Sequence, residues 1–340
     1  MLGIEAASVE RWDPRILISA AVTRDERIER FLQRARAGYD AQPILFHPPQ
    51  PMLVGGRHFA VVTETGGLHR GSVHTLPNFR FRDAFEPVAR ILSDSGTPVL
   101  VAAGAGHGNY YHAVFETAAT VLLHRGLSRD PMIPLLLPQR SELWMRHLLA
   151  TLAIDNPQVT VASDEAILLD AGLLASQIDA GISAAPHPAA LAALRDRAAG
   201  HARDRGRRVY VSRQDAGTRR RMDNEQMLCE ALGTAGFEIV TAGSLPVAAQ
   251  IALFCEAELI VAPHGAALAN LAFVDDGVDG PAVIELFQEN YLNRCFLAIA
   301  QAKRLRYRAI VNPSGAAAGH HHDTSWRADI RCCSRRSADR

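Results

Sequence analysis

The feature that most constrains the fold is a repeated alternation. A short unbroken run of apolar, β-prone residues is followed by a turn of small residues and then by a helical period. Residues 97–103 (TPVLVAA) enter the turn GAGHGN at 104–109, and a helical pattern follows to about Arg125. The same order recurs as MIPLLLP at 132–138 with a helix near 141–152. Short strand candidates follow at Val159–Val161 and Ala166–Leu169. After an Ala- and Arg-rich helix near 188–204 it resumes: strand Arg208–Ser212, helix 223–235, strand Glu238–Val240, helix 246–256, strand Leu259–Ala262, a helix from about Gly265, and strand Ala282–Leu286. Continuous apolar runs mark strands covered on both faces, which is the habit of parallel sheets with helical crossovers. The rhythm predicts an α/β chain of two Rossmann-like halves, each with a parallel sheet and with strand ends facing an interdomain cleft.

Length agrees, since 340 residues suit about two domains of ~150 residues. The pattern relaxes at 180–187, so the boundary is placed near 185. This divides the chain into an N-terminal domain 1–185, a C-terminal domain 186–314 and an aperiodic, poorly ordered tail 315–340. Residues 1–60 hold no steady period apart from a strand-like run beginning at His58. The tail carries a His triplet, His320 to His322, whose metal binding would be adventitious for want of supporting partners.

Composition excludes several functions. The 36 basic and 36 acidic side chains cancel, which argues against a nucleic-acid binder. Lys303 is the single lysine beside 35 arginines, and no GxxxxGK[ST] is present, so any phosphate must be held by Arg and backbone amides. GxSxG, HExxH and DxD are all missing, so a serine hydrolase, a zinc protease and a DxD-chelated metal have no anchor and no metal ligand is assigned. No run of about 18 apolar residues suggests a spanning helix. Five Cys without CxxC fit reduced thiols in a cytoplasmic protein. The Arg-rich stretch 195–221 is the one candidate for peripheral attachment to the inner face of the cell membrane. Oligomeric state is not legible.

Four constellations carry chemistry. Asn109, His112 and Glu116 fall on one helical stripe just after the glycine turn, as a general base with an orienting partner would. An ordinary i,i+4 ion pair is the simpler reading of that spacing. The spaced glycines do not make a dinucleotide fingerprint, because the third position of GxGxxG is Asn109. Arg213 ends a strand where cleft ligands sit in α/β folds and can grip a diphosphate. Arg219 to Arg221 with Asn224-Glu225 continue that site or simply begin the next helix. The turn Pro263-His264-Gly265-Ala266 opens a helix whose free amides favour an anion, with His264 adding a donor. Glu285 lies within an apolar strand and needs a partner, either a ligand diol, the basic loop, or a buried salt bridge.

The order NYYHxxxE, RRVYVSR with a following Arg run, GFEIV, AxxIALFxxAxLIVAPHGAALAN and VIEL resembles glycosyltransferase family 61 over about residues 55–310, most strongly over 207–287. The resemblance implies a GT-B architecture and inverting, metal-independent transfer from a nucleotide-sugar, usually a UDP-sugar, to a glycan or glycoconjugate in surface polysaccharide biosynthesis. No cofactor is implied. By position it implies Asn109, His112 and Glu116 at the acceptor and transferred sugar, Arg213, His264 and Gly265 on the donor diphosphate, and Glu285 near its ribose. In the mechanism expected of these residues Glu116, with His112 second, is the base; Tyr111 joins the acceptor side, and Arg221, Ala266 and Asn270 join the donor site. The chain departs from the family at Ala113 and Ala118, where members often carry Trp and Pro, and its tail lacks the usual apolar closing helix. The alternative is a degenerate transferase, a non-catalytic nucleotide-sugar or glycan-binding module.

Overall fold

A computed structural model describes residues 2–73, 90–93, 97–139, 143–176, 186–198, 206–215, 217, 220–315 and 324–330. His320 to His322 and Arg219 lie outside the described residues. The chain divides into two compact units. One is drawn from Met1–Ala7, Asp40–Ile182 and Pro186–Arg197, the other from Ser8–Tyr39, Ser183–Ala185 and Ala198–Arg340.

The first unit is built on a seven-stranded sheet. Val99–Val101 pairs in parallel with Leu135–Pro138, which pairs in parallel with Gln158–Val161. Glu165–Leu173 runs parallel to both Val99–Val101 and Arg90–Ser93. These are the apolar runs that the sequence marks as buried strands, and Val99, Val101, Leu136 and Leu169 meet in one core cluster. The sheet is mixed rather than purely parallel. Gln50–Gly55 and Ala60–Thr63 form an antiparallel hairpin on the edge of Glu165–Leu173. A connection of only four residues, 56–59, has no room for a crossover, so these two strands must be antiparallel.

The second unit carries six strands that are all parallel. Their spatial order is Glu238–Thr241, Arg207–Ser212, Ala257–Pro263, Ala282–Gln288, Tyr307–Asn312 and Arg15–Ile18. The first five follow the doubly wound order 2-1-3-4-5, whose direction reverses between Arg207–Ser212 and Ala257–Pro263. The loops beyond such a reversal diverge, leaving a crevice at the carboxyl ends of the two strands. Tyr210, Val261, Leu286 and Ile310 supply the core behind it.

Two segments depart from the three-part division of the sequence. Arg15–Ile18 lies near the N-terminus yet completes the second unit's sheet against Tyr307–Asn312, because Ile16, Leu17 and Ile18 find an apolar, parallel edge there. Within the stretch taken as tail, residues 324–330 are packed, with Trp326 in the same core cluster as Tyr210 and Met222. Among the described residues no helix is long and apolar enough to cross a membrane.

Candidate functional site

In the first unit, the chain leaves Val99–Val101 and turns through residues 104–109 into a helix. Asn109 caps it, its side-chain oxygen accepting from the Tyr111 amide at 2.9 Å. After one α-helical turn, Tyr110–His112, the register widens to a π-helical stretch, Ala113–Ala118, before the α-helix Ala119–Leu127. The Ala119 amide donates to the carbonyl of Val114, five residues back. Such wide turns cluster at functional sites because they re-aim side chains that a regular helix would keep in line.

Glu116 lies in the widened turn, and its Oε1 is hydrogen-bonded to Nδ1 of His112. The carboxylate is 2% exposed, whereas the imidazole is 18% exposed, so the ring is the member that can reach a ligand. A carboxylate on Nδ1 fixes the tautomer and aim of the ring, and the lone pair then sits on Nε2. Tyr111 stands edge-on to this ring at 5.5 Å and is itself buried, so it packs beside His112 from within the core. The glycine turn makes room for the same ring. A β-carbon on Gly106 would fall 2.6 Å from His112 Cγ and 2.8 Å from Nδ1.

In the second unit, a pocket of about 260 Å³ opens at the reversal of strand order. Arg213, directly after Arg207–Ser212, and Pro263, ending Ala257–Pro263, both line it. Arg220, Arg221, Glu225 and Trp326 form other parts of the wall. Glu225 organises the strand end, because its Oε1 accepts from the Tyr210 hydroxyl (3.0 Å), the Ser212 hydroxyl (2.9 Å) and the Arg213 amide (3.0 Å). Arg213 then bends toward the neighbouring strand and donates from Nη1 to the His264 carbonyl at 2.6 Å. Its Nε is buried with no hydrogen-bond partner. Burial pulls the guanidinium down to about 10, and the positive charge of Arg220 adds to this. An anion in the pocket would relieve both effects.

Gly265 is where Arg213 comes closest to the backbone. A β-carbon there would lie 2.5 Å from Arg213 Nη1 and 3.2 Å from Cδ. The expected α-helix from Gly265 is instead a seven-residue 3-10 helix, Ala266–Ala272. Its tighter winding returns the Leu268 amide to the Gly265 carbonyl at 2.9 Å, so this turn offers fewer free amides than an α-helical start. Ala266 is half-buried beside Gly265. Asn270 is fully buried and donates to the Ala267 carbonyl at 3.0 Å, which makes it an internal brace of the 3-10 turn.

Glu285 is fully buried, with Oε1 2.5 Å from His264 Nδ1 and Oε2 accepting from the Tyr307 hydroxyl. The buried-pair alternative therefore describes Glu285, since a carboxylate enclosed with both oxygens engaged does not face a ribose. Burial lowers the pKa of His264, against the opposing pull of Glu285, so at neutral pH the ring is the uncharged donor to that carboxylate. The imidazole packs among Phe287, Tyr291 and Phe296 at 4.9–5.3 Å. Its contact with Arg213 is made by its carbonyl, through the bond already described. Arg221 is exposed, pairing with Asp223 at 3.3 Å on the pocket rim.

Thus the structure brings Asn109, Tyr111, His112 and Glu116 together in the first unit, and Arg213, Arg221, His264, Gly265 and Ala266 around the second unit's strand ends. Three contributors escaped the sequence reading. Tyr307 and Tyr291 look like ordinary core aromatics in sequence, and Trp326 sits in an aperiodic segment without a motif. Among the described residues, no group of three His, Cys, Asp or Glu is placed to hold a metal ion.

A family model described as Glycosyltransferase 61 matches residues 110–279, half of the chain. The match takes in His112, Glu116, Arg213, His264 and Gly265 and ends before Glu285. No curated protein matches the chain.

Proposed function

The chain belongs to the glycosyltransferase 61 family, and on that premise we propose that it transfers a sugar from a nucleotide-sugar to a hydroxyl of a glycan or glycoconjugate. As a member of the family it is a glycosyltransferase acting between a sugar donor and an acceptor. The finer reading is an inverting, metal-independent reaction of a UDP-sugar in cytoplasmic surface-polysaccharide biosynthesis, with a GT-B division of labour: the second unit holds the donor and the first activates the acceptor. The observation that carries it is the pocket at the strand-order reversal, where Arg213 is half-buried, short of a partner at Nε and poised over Gly265.

The chemistry is a single in-line displacement. The acceptor oxygen forms a bond to the anomeric carbon while its proton passes to a base. The bond from that carbon to the diphosphate oxygen breaks, and the nucleoside diphosphate leaves with the electron pair. One displacement inverts the anomeric centre. His112 is the base in this reading and Glu116 its orienting partner, the reverse of the order preferred on sequence, because the carboxylate is enclosed and the imidazole is not. Arg213, with Arg220 and Arg221 on the same wall, neutralises the departing diphosphate, the task that a chelated cation performs elsewhere.

The test is UDP release from a panel of UDP-sugars with a broad acceptor mixture. Removing a general base costs about 10²–10⁴-fold in rate, so His112→Ala should lose turnover by that factor and keep nucleotide affinity. Binding without turnover in the unaltered protein would identify a non-catalytic module instead. Equal loss of turnover and affinity in His112→Ala would remove His112 from the role of base.

A further inference from the structure

The stretch 324–330 lies beyond the family match, yet it grips the loop that forms one wall of the pocket. The Trp326 amide donates to the Arg221 carbonyl at 3.0 Å, and the Asp223 amide donates to the Trp326 carbonyl at 2.9 Å. The indole Nε1–H donates to the Arg220 carbonyl at 2.9 Å. Two residues on, Ala328 exchanges a pair of bonds with the Asn224 side chain, at 2.8 and 2.9 Å. Ser325 Oγ donates to Asp223 at 2.9 Å. Residues 220, 221, 223 and 224 are therefore each tied to this one stretch of chain. Its other end is tied to the sheet by the Asp329 amide, which donates to Asn312 at 2.8 Å.

The tie matters most at Arg220. Its φ is +54°, in the left-handed region that a β-carbon disfavours, so this residue needs an external hold to keep its conformation. That hold is on its own carbonyl, and its guanidinium lies 4.5 Å over the Tyr291 ring, close enough to Arg213 to affect its charge. Trp326 is only 3% exposed and lines the pocket together with both arginines.

We propose that Trp326 is a positioning residue of the donor site: its indole N–H and backbone hold Arg220 and Arg221 where they meet the diphosphate of a nucleotide-sugar. The proposal rests on the donor-site reading above. It also assigns the 324–330 strap a part in donor binding that the matched family region does not contain.

Trp326→Phe keeps an aromatic ring in the core and removes the N–H together with the five-membered half of the indole. The readouts are calorimetric titration with UDP, with GDP and ADP alongside, and donor KM against kcat. Losing one partner of a buried hydrogen bond shifts an equilibrium by roughly five- to tenfold or more. The variant should raise the nucleotide Kd and donor KM by about that factor, with any fall in kcat smaller than the rise in KM. Made in an Arg220→Ala, Arg221→Ala background, the same substitution should add less than about twofold, because both guanidinium groups that it positions are gone. An equal factor in both backgrounds, or a kcat loss with unchanged KM, overturns the proposal.

A second variant avoids dependence on how Trp326→Phe folds. With Trp12→Phe and Trp144→Phe, Trp326 is the one indole left of three. Its emission should change saturably with UDP at the calorimetric Kd, and an emission that stays constant while UDP binds overturns the proposal. If the unaltered chain binds none of the three nucleotides, the donor-site reading itself falls and the proposal with it. Binding that is indifferent to Trp326 refutes the proposal alone.

Discussion

Substituting alanine for Gly265 tests the strand-end pocket of the second unit apart from the rest of the molecule. Gly265 has φ −173° and ψ 160°, extended backbone open to any residue, so the substitution brings no backbone strain. The added β-carbon would lie 2.5 Å from Arg213 Nη1, and ordinary contact begins near 3.4 Å, so the guanidinium must withdraw by roughly 1 Å. It is the far end of a flexible side chain and can swing, leaving the fold intact. That movement breaks the 2.6 Å bond to the His264 carbonyl and takes the charge away from the strand end. A hydrogen bond from a charged group is worth about 1.5–3 kcal/mol, so a misplaced guanidinium should weaken nucleotide binding by roughly 10- to 150-fold. Because the side chain finds solvent, the stability cost should stay within about 1 kcal/mol, a few degrees in Tm at most. The assay pairs UDP calorimetry with thermal unfolding of the Gly265→Ala chain. Affinity within about twofold of the unaltered protein at unchanged Tm would refute the assignment of Arg213 to the diphosphate. A collapse in Tm would show that the guanidinium cannot move as argued.

Three further outcomes are expected. Gly106→Ala should push on the His112 ring, whose Cγ would be 2.6 Å from the new β-carbon. Turnover should fall at least about tenfold while UDP affinity stays level, and retained turnover would separate His112 from the chemistry. Tyr307→Phe leaves Glu285 Oε2 without its hydroxyl partner in a fully buried site. The loss should be about 1.5–3 kcal/mol, roughly 3–10 °C in Tm by calorimetry, and an unchanged Tm would count against the His264–Glu285–Tyr307 brace. Burial holds His124, His187 and His264 below the usual histidine range. Unfolded histidines titrate near ~6.5, so as pH falls past that value the unfolded chain takes up protons first and stability drops. Tm should therefore decline from pH 7 to pH 5, and a flat or rising Tm over that window contradicts the burial of these rings as neutral groups.

The parts legible in the sequence are those in which local pattern and tertiary role coincide. The later parts of Arg207–Ser212 and Ala257–Pro263 are buried on both faces, so the apolar runs Val209–Val211 and Leu259–Ala262 announce each strand, and the next polar or small residue marks its carboxyl end. That is why Arg213 and the turn at His264-Gly265 stood out. Glu285 was visible as an anomaly, a carboxylate among apolar neighbours. Its partner Tyr307 is 22 residues away on the next parallel strand, where an aromatic residue needs no explanation. The π-helical turn at Ala113–Ala118 leaves no mark in residue types, so spacing alone could not tell that Glu116 is enclosed while His112 is not. Arg15–Ile18 is four residues long and is stabilised by an edge nearly three hundred residues downstream. Trp326 leaves no mark for a related reason, since a strap held by hydrogen bonds to a loop has no period to detect.

Under the proposed function the strand-end pocket of the second unit binds a nucleoside diphosphate through Arg213. The decisive experiment titrates UDP into the unaltered chain and into Arg213→Ala at one fixed ionic strength. The unaltered protein should bind UDP saturably, and the variant about tenfold or more weaker with its Tm preserved. UDP affinity that is the same in both proteins, or absent from both, would contradict that reading.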